Sequence, residues 1–378
     1  MTRKLEGKLG VGIVGLSATR GWAALAHVPA LAMLPDDYEI RGLVGSSPES
    51  AAAAAKKFGV PFATDKIEEL LVQPGIDLVA VTLVVPKHRR VVEAALAAGK
   101  AVLCEWPLAR DVQEAEHLAE LAQHKHLQGF VGLQARMSPA IHFVRDLIAQ
   151  GYIGDVLSTG VKASLGAPWG RNAIDPGQVL YQDQRNGATM LTIPFGHAWD
   201  AICGIWGEID DPRAVVAIRQ PFTTLRATGA SIAVTAPDQL ALSGTFSSGI
   251  VASVHFRAGL QTGTGFQWEI NGTRGDLLLT TPSGHLQFGD ITVRGASAGA
   301  KEMAVLPVPD SYWPLEGDRT SVAYNVALVY DAVLRDMRSG THEATSFADA
   351  LARHKSLRNI TTAAGQIRRG QPTQSARK

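Results

Sequence analysis

Short apolar runs alternate with helix-like segments along the first third of the chain. The apolar runs cover residues 11–14, 40–44, 78–85, 101–104 and 127–133, and the helix-like segments cover residues 50–58, 89–98 and 111–123. Apolar runs of about four to eight residues bounded by turns are typical of buried strands, and parallel strands need helical crossovers between them. The pattern therefore predicts βαβ units and a doubly wound, α/β parallel sheet over residues 1–134.

Strand-like runs joined by short turns dominate the rest of the chain. These runs cover residues 156–164, 239–246, 250–256, 266–271 and 276–279, and helical patterns cover residues 139–151, 190–206, 321–338 and 347–368. Hairpin-like turns at residues 247–249 and 271–273 favour antiparallel pairing. We predict a second, α+β domain with a mostly antiparallel open sheet over residues 135–378. Its C-terminal helix is a candidate to pack back on the first domain.

Size and composition agree with two globular domains. A chain of 378 residues exceeds the roughly 100–200 residues of one domain, and 46 % hydrophobic against 19 % charged residues excludes a disordered chain. A net charge of +1 gives no field that would gather nucleic acid or an anionic membrane, so neither partner is expected.

The cysteines and the chain start bear on the cellular setting. Cys104 and Cys203 are the two cysteines, which is too few for a disulfide framework, so a cytoplasmic protein is expected. Neither has the spacing of a metal ligand, and buried packing is their default role. The polar first residues exclude a conventional signal peptide. The sequence has no uninterrupted run of about 18 apolar residues, so we predict no transmembrane helix.

A glycine-containing segment follows the first predicted strand. Gly12 and Gly15 are followed by Ser17, which stands where a dinucleotide-binding loop has a glycine, and by Gly21, one residue later than expected. Such glycines let the backbone turn tightly and let a pyrophosphate approach amides at a helix N-terminus. The position in a βαβ unit favours a dinucleotide site of the Rossmann type. A glycine-rich turn without a ligand is the alternative.

The end of the second strand bears on the choice of cofactor. An acidic residue there would bond the ribose hydroxyls of NAD, but the chain has Ser46 and Ser47 and no acid at this point. Two hydroxyl donors without a repelling carboxylate would tolerate a 2′-phosphate. We therefore predict NADP, with NAD as the second choice. Alternatively, the serines only cap the next helix.

Several segments together carry a family resemblance: residues 11–21, 80–107, 187–200 and 269–275. With them the chain resembles the glucose–fructose oxidoreductase/inositol dehydrogenase (Gfo/Idh/MocA) family. Residues 15–22, the Glu105–Trp106 pair and residues 138–154 and 195–197 are more similar to the branch of the fungal galactose-regulon repressor. The resemblance implies a Rossmann domain, an α+β domain whose open sheet often forms oligomers, and hence a homodimer or homotetramer.

The resemblance also implies positions for the cofactor and the reacting groups. His88 matches a family histidine near the cofactor, and Glu105 matches the acidic residue beside the nicotinamide ribose. A surface histidine at a helix start is the alternative for His88. Trp106 stands where the family usually has a catalytic lysine, and Ile193 stands where it usually has an aspartate. Neither an indole, which cannot accept a proton near neutrality, nor an isoleucine side chain can replace these groups. Two polar groups usual at the reacting centre are therefore missing.

His197 is the remaining candidate for acid–base chemistry. An alcohol that gives a hydride to nicotinamide must also lose a proton, and a histidine with an ordinary pKa near about 6.5 can accept it. Asp200 lies three residues later on the same predicted helix and could orient the imidazole. The alternatives are a core histidine that is fully hydrogen-bonded and a structural Asp200.

Candidate substrate residues are those whose side chains suit a sugar or polyol: Arg136, Lys162, Trp169 and Tyr181, with Trp106 and His197 beside them. Aromatic faces suit the apolar face of a sugar, and cationic groups can hold hydroxyls or a carboxylate. Core packing is the alternative for the aromatic residues, and a phosphate clamp for Arg136.

These expectations support two functions of different classes. The first is an NADP-dependent oxidoreductase acting on a sugar- or polyol-like alcohol, with His197 as the only base. The second is a non-catalytic dinucleotide-binding sensor with a protein partner, as in the repressor branch. A third option, non-redox chemistry through transient oxidation of a sugar, is allowed by the family.

Overall fold

A computed structural model describes residues 7–166, 168–170, 173–259, 262–263 and 265–369 of the chain. The helices are α1 Val28–Ala32, α2 Pro48–Phe58, α3 Ile67–Leu71, α4 His88–Ala97, α5 Val112–His124, α6 Pro139–Ala149, α7 Pro194–Trp206, α8 Val322–Ser339 and α9 Phe347–Ala363. The strands are β1 Leu9–Val14, β2 Tyr38–Val44, β3 Ala63–Thr64, β4 Leu78–Val81, β5 Ala101–Glu105, β6 Gly129–Gly132, β7 Val156–Leu165, β8 Ala173–Ile174, β9 Ile209–Ile218, β10 Phe222–Leu225, β11 Ser231–Ala233, β12 Gln239–Phe246, β13 Val251–Ala258, β14 Phe266–Gly272, β15 Gly275–Thr281, β16 Thr292–Ser297, β17 Ala304–Val305 and β18 Arg368–Arg369.

Six parallel strands form the sheet of the first unit, in the order β3-β2-β1-β4-β5-β6. This is the strand order of the doubly wound dinucleotide-binding fold, which confirms the predicted class. The central strands β1 and β4 are buried along their whole length, as expected of strands covered by helices on both faces. The predicted strand over residues 78–85 ends at Val81, because Pro86 cannot donate to a ladder and a 3₁₀ turn, Val85–Lys87, begins there.

The first compact unit contains the chain up to Met137 together with Leu315–His354. The sequence had assigned this second segment to the other domain. Its main element, α8, contributes Ala323, Val326, Tyr330 and Val333 to the same buried cluster as the parallel sheet. Burial of its apolar face decides which domain an amphipathic helix packs against, and its position in the sequence does not.

A nine-stranded sheet dominates the second unit, which contains Ser138–Pro314 and the chain from Lys355 onward. Its order is β17-β16-β15-β14-β7-β13-β12-β9-β18, and neighbours pair antiparallel except at β7–β13 and β9–β18. The predicted mostly antiparallel α+β domain is thereby confirmed. Inward side chains alternate with exposed ones along β12 and β13, so one face is covered and the other is open.

Helix α7 lies against the covered face of this sheet. Phe195 meets Phe256 edge-on at 5.1 Å between ring centroids, and Trp199 stacks on Phe246 at 5.9 Å. The helix begins at Pro194, four residues later than predicted from the apolar pattern. A proline lacks the amide that would continue a helix backwards and disfavours helical geometry in the preceding residue, here Ile193. No helix in the described ranges is both long enough and apolar enough to cross a membrane.

Candidate functional site

The loop after β1 has the backbone geometry of a ligand cradle. Gly15 has φ +108°, and a Cβ atom there would lie 3.0 Å from the side chains of Thr82 and Leu83 and 3.2 Å from the Thr82 carbonyl oxygen. Gly21 has φ +99° with open space around it. Residues with a side chain rarely adopt such angles, so both positions favour glycine. The loop fits the close approach of a pyrophosphate.

Two further residues of the predicted glycine motif have local roles. Ser17 accepts a hydrogen bond from the Thr19 amide at 3.4 Å, which shapes the turn. Gly12 lies inside β1, where its missing Cβ leaves room for Leu70 and Ile76 at 3.0 and 3.3 Å. Packing against these two side chains accounts for glycine at position 12, and a contact of Gly12 with the cofactor stays a prediction.

The end of β2 has no acidic side chain, as the sequence showed. Ser46 is exposed, and Ser47 caps α2 by accepting a hydrogen bond from the Ser50 amide at 3.2 Å. The capping alternative thus holds for Ser47. Ser46 remains the hydroxyl that reaches solvent at this strand end.

Glu105 ends β5 and belongs to a buried hydrogen-bond network that the sequence did not reveal. Its Oε1 lies 2.9 Å from Nε2 of His27, and Nδ1 of His27 lies 2.8 Å from the Tyr330 hydroxyl. His27 is the last residue of a π-helical turn, Ala23–His27, a distortion frequent at functional sites. The chain separation of 303 residues between His27 and Tyr330 hides the contact from sequence patterns.

His88 joins two loops and does not offer a nitrogen to a ligand. It is 1 % exposed, its Nδ1 lies 3.0 Å from the Pro107 carbonyl oxygen, and its Nε2 lies 2.8 Å from the Leu83 carbonyl oxygen. Burial lowers the pKa of the ring below its usual value. The predicted cofactor contact through this side chain is corrected to a role in positioning the loops after β4 and β5. The surface alternative is also wrong.

Trp106 packs inside the first unit. It is 3 % exposed, and its ring lies 4.7 Å from the ring of His354 on α9. Burial lowers the pKa of His354 to about 4, although Asp111 opposes this shift. The indole thus makes a buried ring contact that an ammonium group could not make at low cost. Arg136, predicted beside it, is half-buried in the 3₁₀ turn Gln134–Met137.

His197 is the buried histidine of the second unit. It lies on α7 and is 3 % exposed; burial first and the charge of His285 second lower its pKa to about 3, well below the ordinary value that we expected. Its Nδ1 is buried without a hydrogen-bond partner among the described residues. Asp200 is fully buried on the same helix and makes no hydrogen bond to this nitrogen, so orientation of the ring by Asp200 stays a prediction.

His285 is a residue that sequence reasoning missed. It stacks on Phe288 at 4.6 Å between ring centroids, and its Nδ1 accepts a hydrogen bond from Gln287 Nε2 at 3.2 Å. Burial lowers its pKa to about 4. Both imidazoles therefore have lowered pKa values, and the electrostatic influence of His285 contributes to the lowered pKa of His197. A lone histidine in a turn gives no sequence signal for such a pair.

Trp169 and Tyr181, predicted as neighbours in one pocket, do lie together. Their rings meet edge-on at 5.1 Å, and burial raises the pKa of the tyrosine. Trp169 is 5 % exposed, and its Nε1 has no hydrogen-bond partner in the described ranges. Gln182 fixes the loop by donating to the Pro168 carbonyl oxygen at 3.0 Å.

Lys162 lies on the wrong face of the sheet for the predicted pocket. It is exposed on β7 between two buried residues, and it pairs with His255 on β13. The next residue of β13, Phe256, points to the opposite face and contacts α7. Lys162 lines an open hollow of about 200 Å³ with His255, Arg257 and Gln267. Because side chains alternate across a sheet, it cannot share a face with α7, so its assignment to the substrate pocket is corrected.

Two segments of the chain match known protein families. Residues 9–133 match the oxidoreductase family with an NAD-binding Rossmann fold, and residues 139–281 match the C-terminal domain of Gal80p. Among relatives, dehydrogenase aclE of Aspergillus oryzae is 29 % identical over 365 residues, covering 90 % of this chain and 98 % of aclE. The galactose/lactose metabolism regulatory protein GAL80 of Saccharomyces cerevisiae is 28 % identical over 301 residues, covering 75 % and 69 %.

Solved structures share the fold. A super-repressor mutant of the Saccharomyces cerevisiae Gal80p superposes with a TM-score of 0.82 at 23 % identity, covering 94 % of this chain and 96 % of that one. A levoglucosan dehydrogenase in complex with NADH and levoglucosan superposes with a TM-score of 0.79 at 22 % identity, covering 94 % and 97 %. The N-terminal domain is therefore of the Gfo/Idh/MocA oxidoreductase family, and the second domain is of the Gal80p C-terminal type.

Proposed function

We propose that the protein is an NAD(P)-dependent oxidoreductase that acts on a sugar- or polyol-like alcohol. The observation that carries this proposal is the buried Nδ1 of His197, which has no hydrogen-bond partner among the described residues. A buried polar atom without a partner costs about 1–3 kcal/mol, and a ligand hydroxyl would remove that cost. Relatives that are named dehydrogenases, aclE and levoglucosan dehydrogenase, support a redox role.

The first unit would hold the dinucleotide. Gly15 and Gly21 give the loop the backbone freedom to approach a pyrophosphate, and Glu105 offers a carboxylate to ribose hydroxyls. The nicotinamide, when bound, supplies the acceptor for the hydride that leaves the carbinol carbon. The fit of the glycine loop, in which a Cβ at Gly15 would meet Thr82 and Leu83, supports this assignment.

His197 would take the hydroxyl proton of the substrate at Nδ1. With a pKa of about 3 the ring is neutral near pH 7, which is the form that can accept a proton. The same low pKa makes it a weak base, so we expect slow turnover compared with enzymes whose base has a pKa near the working pH. Tyr181, which is half-buried beside Trp169, would offer an aromatic face to the ring of a sugar.

A binding titration tests the dinucleotide part of the proposal. We expect NADPH and NADH to quench the protein fluorescence, and Gly15→Ala to weaken binding about tenfold or more through backbone strain and the clash at Thr82. Gly59→Ala is the matched control, because Gly59 also has a positive φ (+68°) but has nothing within 4 Å. Equal binding by the wild type and Gly15→Ala would contradict the site.

Turnover is tested by a panel of sugars and polyols, followed at the absorbance of the reduced nicotinamide. Substrate-dependent reduction of NADP or NAD supports the oxidoreductase. Tight dinucleotide binding without turnover on any member of the panel would reject it. Failure to bind either dinucleotide would remove the ligand from the proposal altogether.

The preference for NADP is a separate proposal with its own variant. Ser46→Asp should weaken NADPH binding about tenfold, because the new carboxylate repels the 2′-phosphate, while NADH binding stays within about threefold. Ser247→Asp adds the same charge on an exposed turn of the second unit and should change neither affinity. Wild-type protein that binds NADH as tightly as NADPH would overturn the preference.

A non-catalytic sensor is the second candidate, and one contact favours it. Trp106 replaces the proton-transferring lysine and is buried against His354, so the first unit offers no ammonium group at this position. The relative GAL80 is named as a regulatory protein. In this case the chain would bind a dinucleotide and pass the information to a protein partner, and the turnover panel separates the two functions.

A further inference from the structure

Two side chains, those of Tyr330 and His27, connect the interior of the first unit with Glu105 at the end of β5. Tyr330 on α8 is 0 % exposed and His27 is 1 % exposed, whereas the Glu105 side chain is 13 % exposed. The Tyr330 hydroxyl lies 2.8 Å from His27 Nδ1, and His27 Nε2 lies 2.9 Å from Glu105 Oε1. Within the described ranges, the structure records no hydrogen bond to the other carboxylate oxygen, Oε2.

The chemistry of the three groups gives the chain a direction. An ionised carboxylate only accepts hydrogen bonds, so Nε2 of His27 donates to Glu105. In a neutral imidazole the other nitrogen then accepts, and the Tyr330 hydroxyl donates to Nδ1. Burial raises the pKa of Tyr330 well above its ordinary value, which keeps the phenol protonated and able to donate.

Neighbouring residues fix both ends of this chain. Tyr38 donates to the backbone carbonyl oxygen of Tyr330 at 2.7 Å, and the two rings meet edge-on at 5.3 Å. At the other end, a Cβ on Gly132 would lie 2.5 Å from Glu105 Oε1, so only glycine leaves the carboxylate in place. The carboxylate is thus positioned by a donor on one side and by a bare backbone on the other.

We propose that His27 and Tyr330 are positioning residues which hold Oε1 of Glu105 and leave Oε2 for the hydroxyls of a dinucleotide ribose. The inference rests on the proposed function, because it takes the ligand of Glu105 to be a dinucleotide. A carboxylate that is already ordered loses less side-chain entropy when the ligand binds. The π-turn has a reason in this arrangement, since it brings His27 between Glu105 and Tyr330.

The test removes one hydroxyl at a time. Tyr330→Phe should weaken NADPH and NADH binding about tenfold, because His27 loses the donor that sets its tautomer. Tyr324→Phe is the matched control: it also removes one hydroxyl from a fully buried tyrosine of α8, but this hydroxyl donates to the backbone oxygen of Leu315 and not to His27, so binding should change less than about twofold. Thermal unfolding of both variants checks that they fold.

A second pair of variants and a spectroscopic measurement complete the design. His27→Gln keeps an amide that can donate to Glu105 and should bind almost as tightly as the wild type, whereas His27→Leu should not. Histidine ¹⁵N chemical shifts of the protein without ligand should show His27 with its proton on Nε2, and Tyr330→Phe should change that signal.

The outcomes separate this inference from the proposed function. Wild-type binding that survives unchanged in Tyr330→Phe and His27→Leu overturns the positioning role alone. A proton on Nδ1 of His27 in the wild type overturns the direction of the chain, whether or not a dinucleotide binds. A wild type that binds neither dinucleotide overturns the proposed function and, with it, the ligand assigned to Glu105.

Discussion

Replacing His197 with alanine is expected to lower turnover about 100-fold or more while dinucleotide binding stays unchanged. A positioned general base contributes roughly 10²–10⁴-fold to rate, and His197 is the only base assigned to the reaction here. The glycine loop and Glu105 belong to the first unit, whereas His197 belongs to the second. The measurement is steady-state kinetics with the best substrate of the panel, beside a fluorescence titration with NADPH.

The pH profile of the same reaction gives an independent readout. Because burial lowers the pKa of His197 to about 3, its proton-accepting form persists from about pH 5 to about pH 8. Acidification from about pH 8 to about pH 5 should therefore not lower the rate of alcohol oxidation through protonation of His197. The wild type and His197→Ala should have pH profiles of the same shape in this range. A limb near about pH 6.5 that disappears in the variant would mean that the pKa of His197 is ordinary.

His255→Ala is the matched control for this experiment. It is the same substitution in the same unit, but His255 lies on the exposed face of the sheet, away from α7. Turnover in this variant should equal that of the wild type. If His197→Ala also turns over at the wild-type rate, His197 is not the base and the oxidoreductase needs another proton acceptor.

Trp199→Ala is expected to lower the free energy of unfolding by about 3–5 kcal/mol, the range found for buried large aromatic residues. Trp199 is 0 % exposed and lies between Phe195 and Phe246, with ring centroids at 5.5 and 5.9 Å. Its Nε1 also donates to Ser356 Oγ at 3.1 Å. The substitution leaves a cavity under α7 and removes the donor to the serine.

Urea unfolding followed by circular dichroism measures this loss. Phe222→Ala is the control, because Phe222 is 57 % exposed and its truncation should cost no more than about 0.5 kcal/mol. A loss below about 1 kcal/mol in Trp199→Ala would show that α7 does not depend on this aromatic stack. Since α7 carries His197, a large loss also predicts weaker turnover in Trp199→Ala at elevated temperature.

Local sequence signals predicted elements well where a single face or a single turn decides. The wholly buried β1 and β4 gave continuous apolar runs, and Ser47 with Pro48 marked the start of α2. β9 was missed, because its first half carries Asp210, Asp211 and Arg213 and its apolar positions there are only partly covered. Charged residues at these positions interrupt the alternation of apolar and polar side chains that predicts a strand.

Candidate site residues were predictable only as far as a motif or a strand end marks them. Gly15 and Glu105 stand at ends of parallel strands, and Gly21 stands shortly before the π-helical turn Ala23–His27. The assignment of Lys162 to the substrate pocket was wrong, because alternation along β7 shows that the sheet has two faces but not which face α7 covers. The expectation of an ordinary pKa for His197 was wrong for a similar reason, because the burial that lowers this pKa depends on elements distant in the chain.

The sequence by itself determined the order of βαβ units, the α+β second half and the glycine turn, because each follows from contacts or backbone preferences within a few residues. Only the tertiary structure decided which residues surround Glu105 and which histidines are neutral. Tyr330 reaches His27 across 303 residues because α8 belongs to the first unit, and the pKa of His197 is low because burial, first, and the electrostatic influence of His285, second, disfavour the charged ring. Both effects arise from packing between distant segments, which no local pattern encodes.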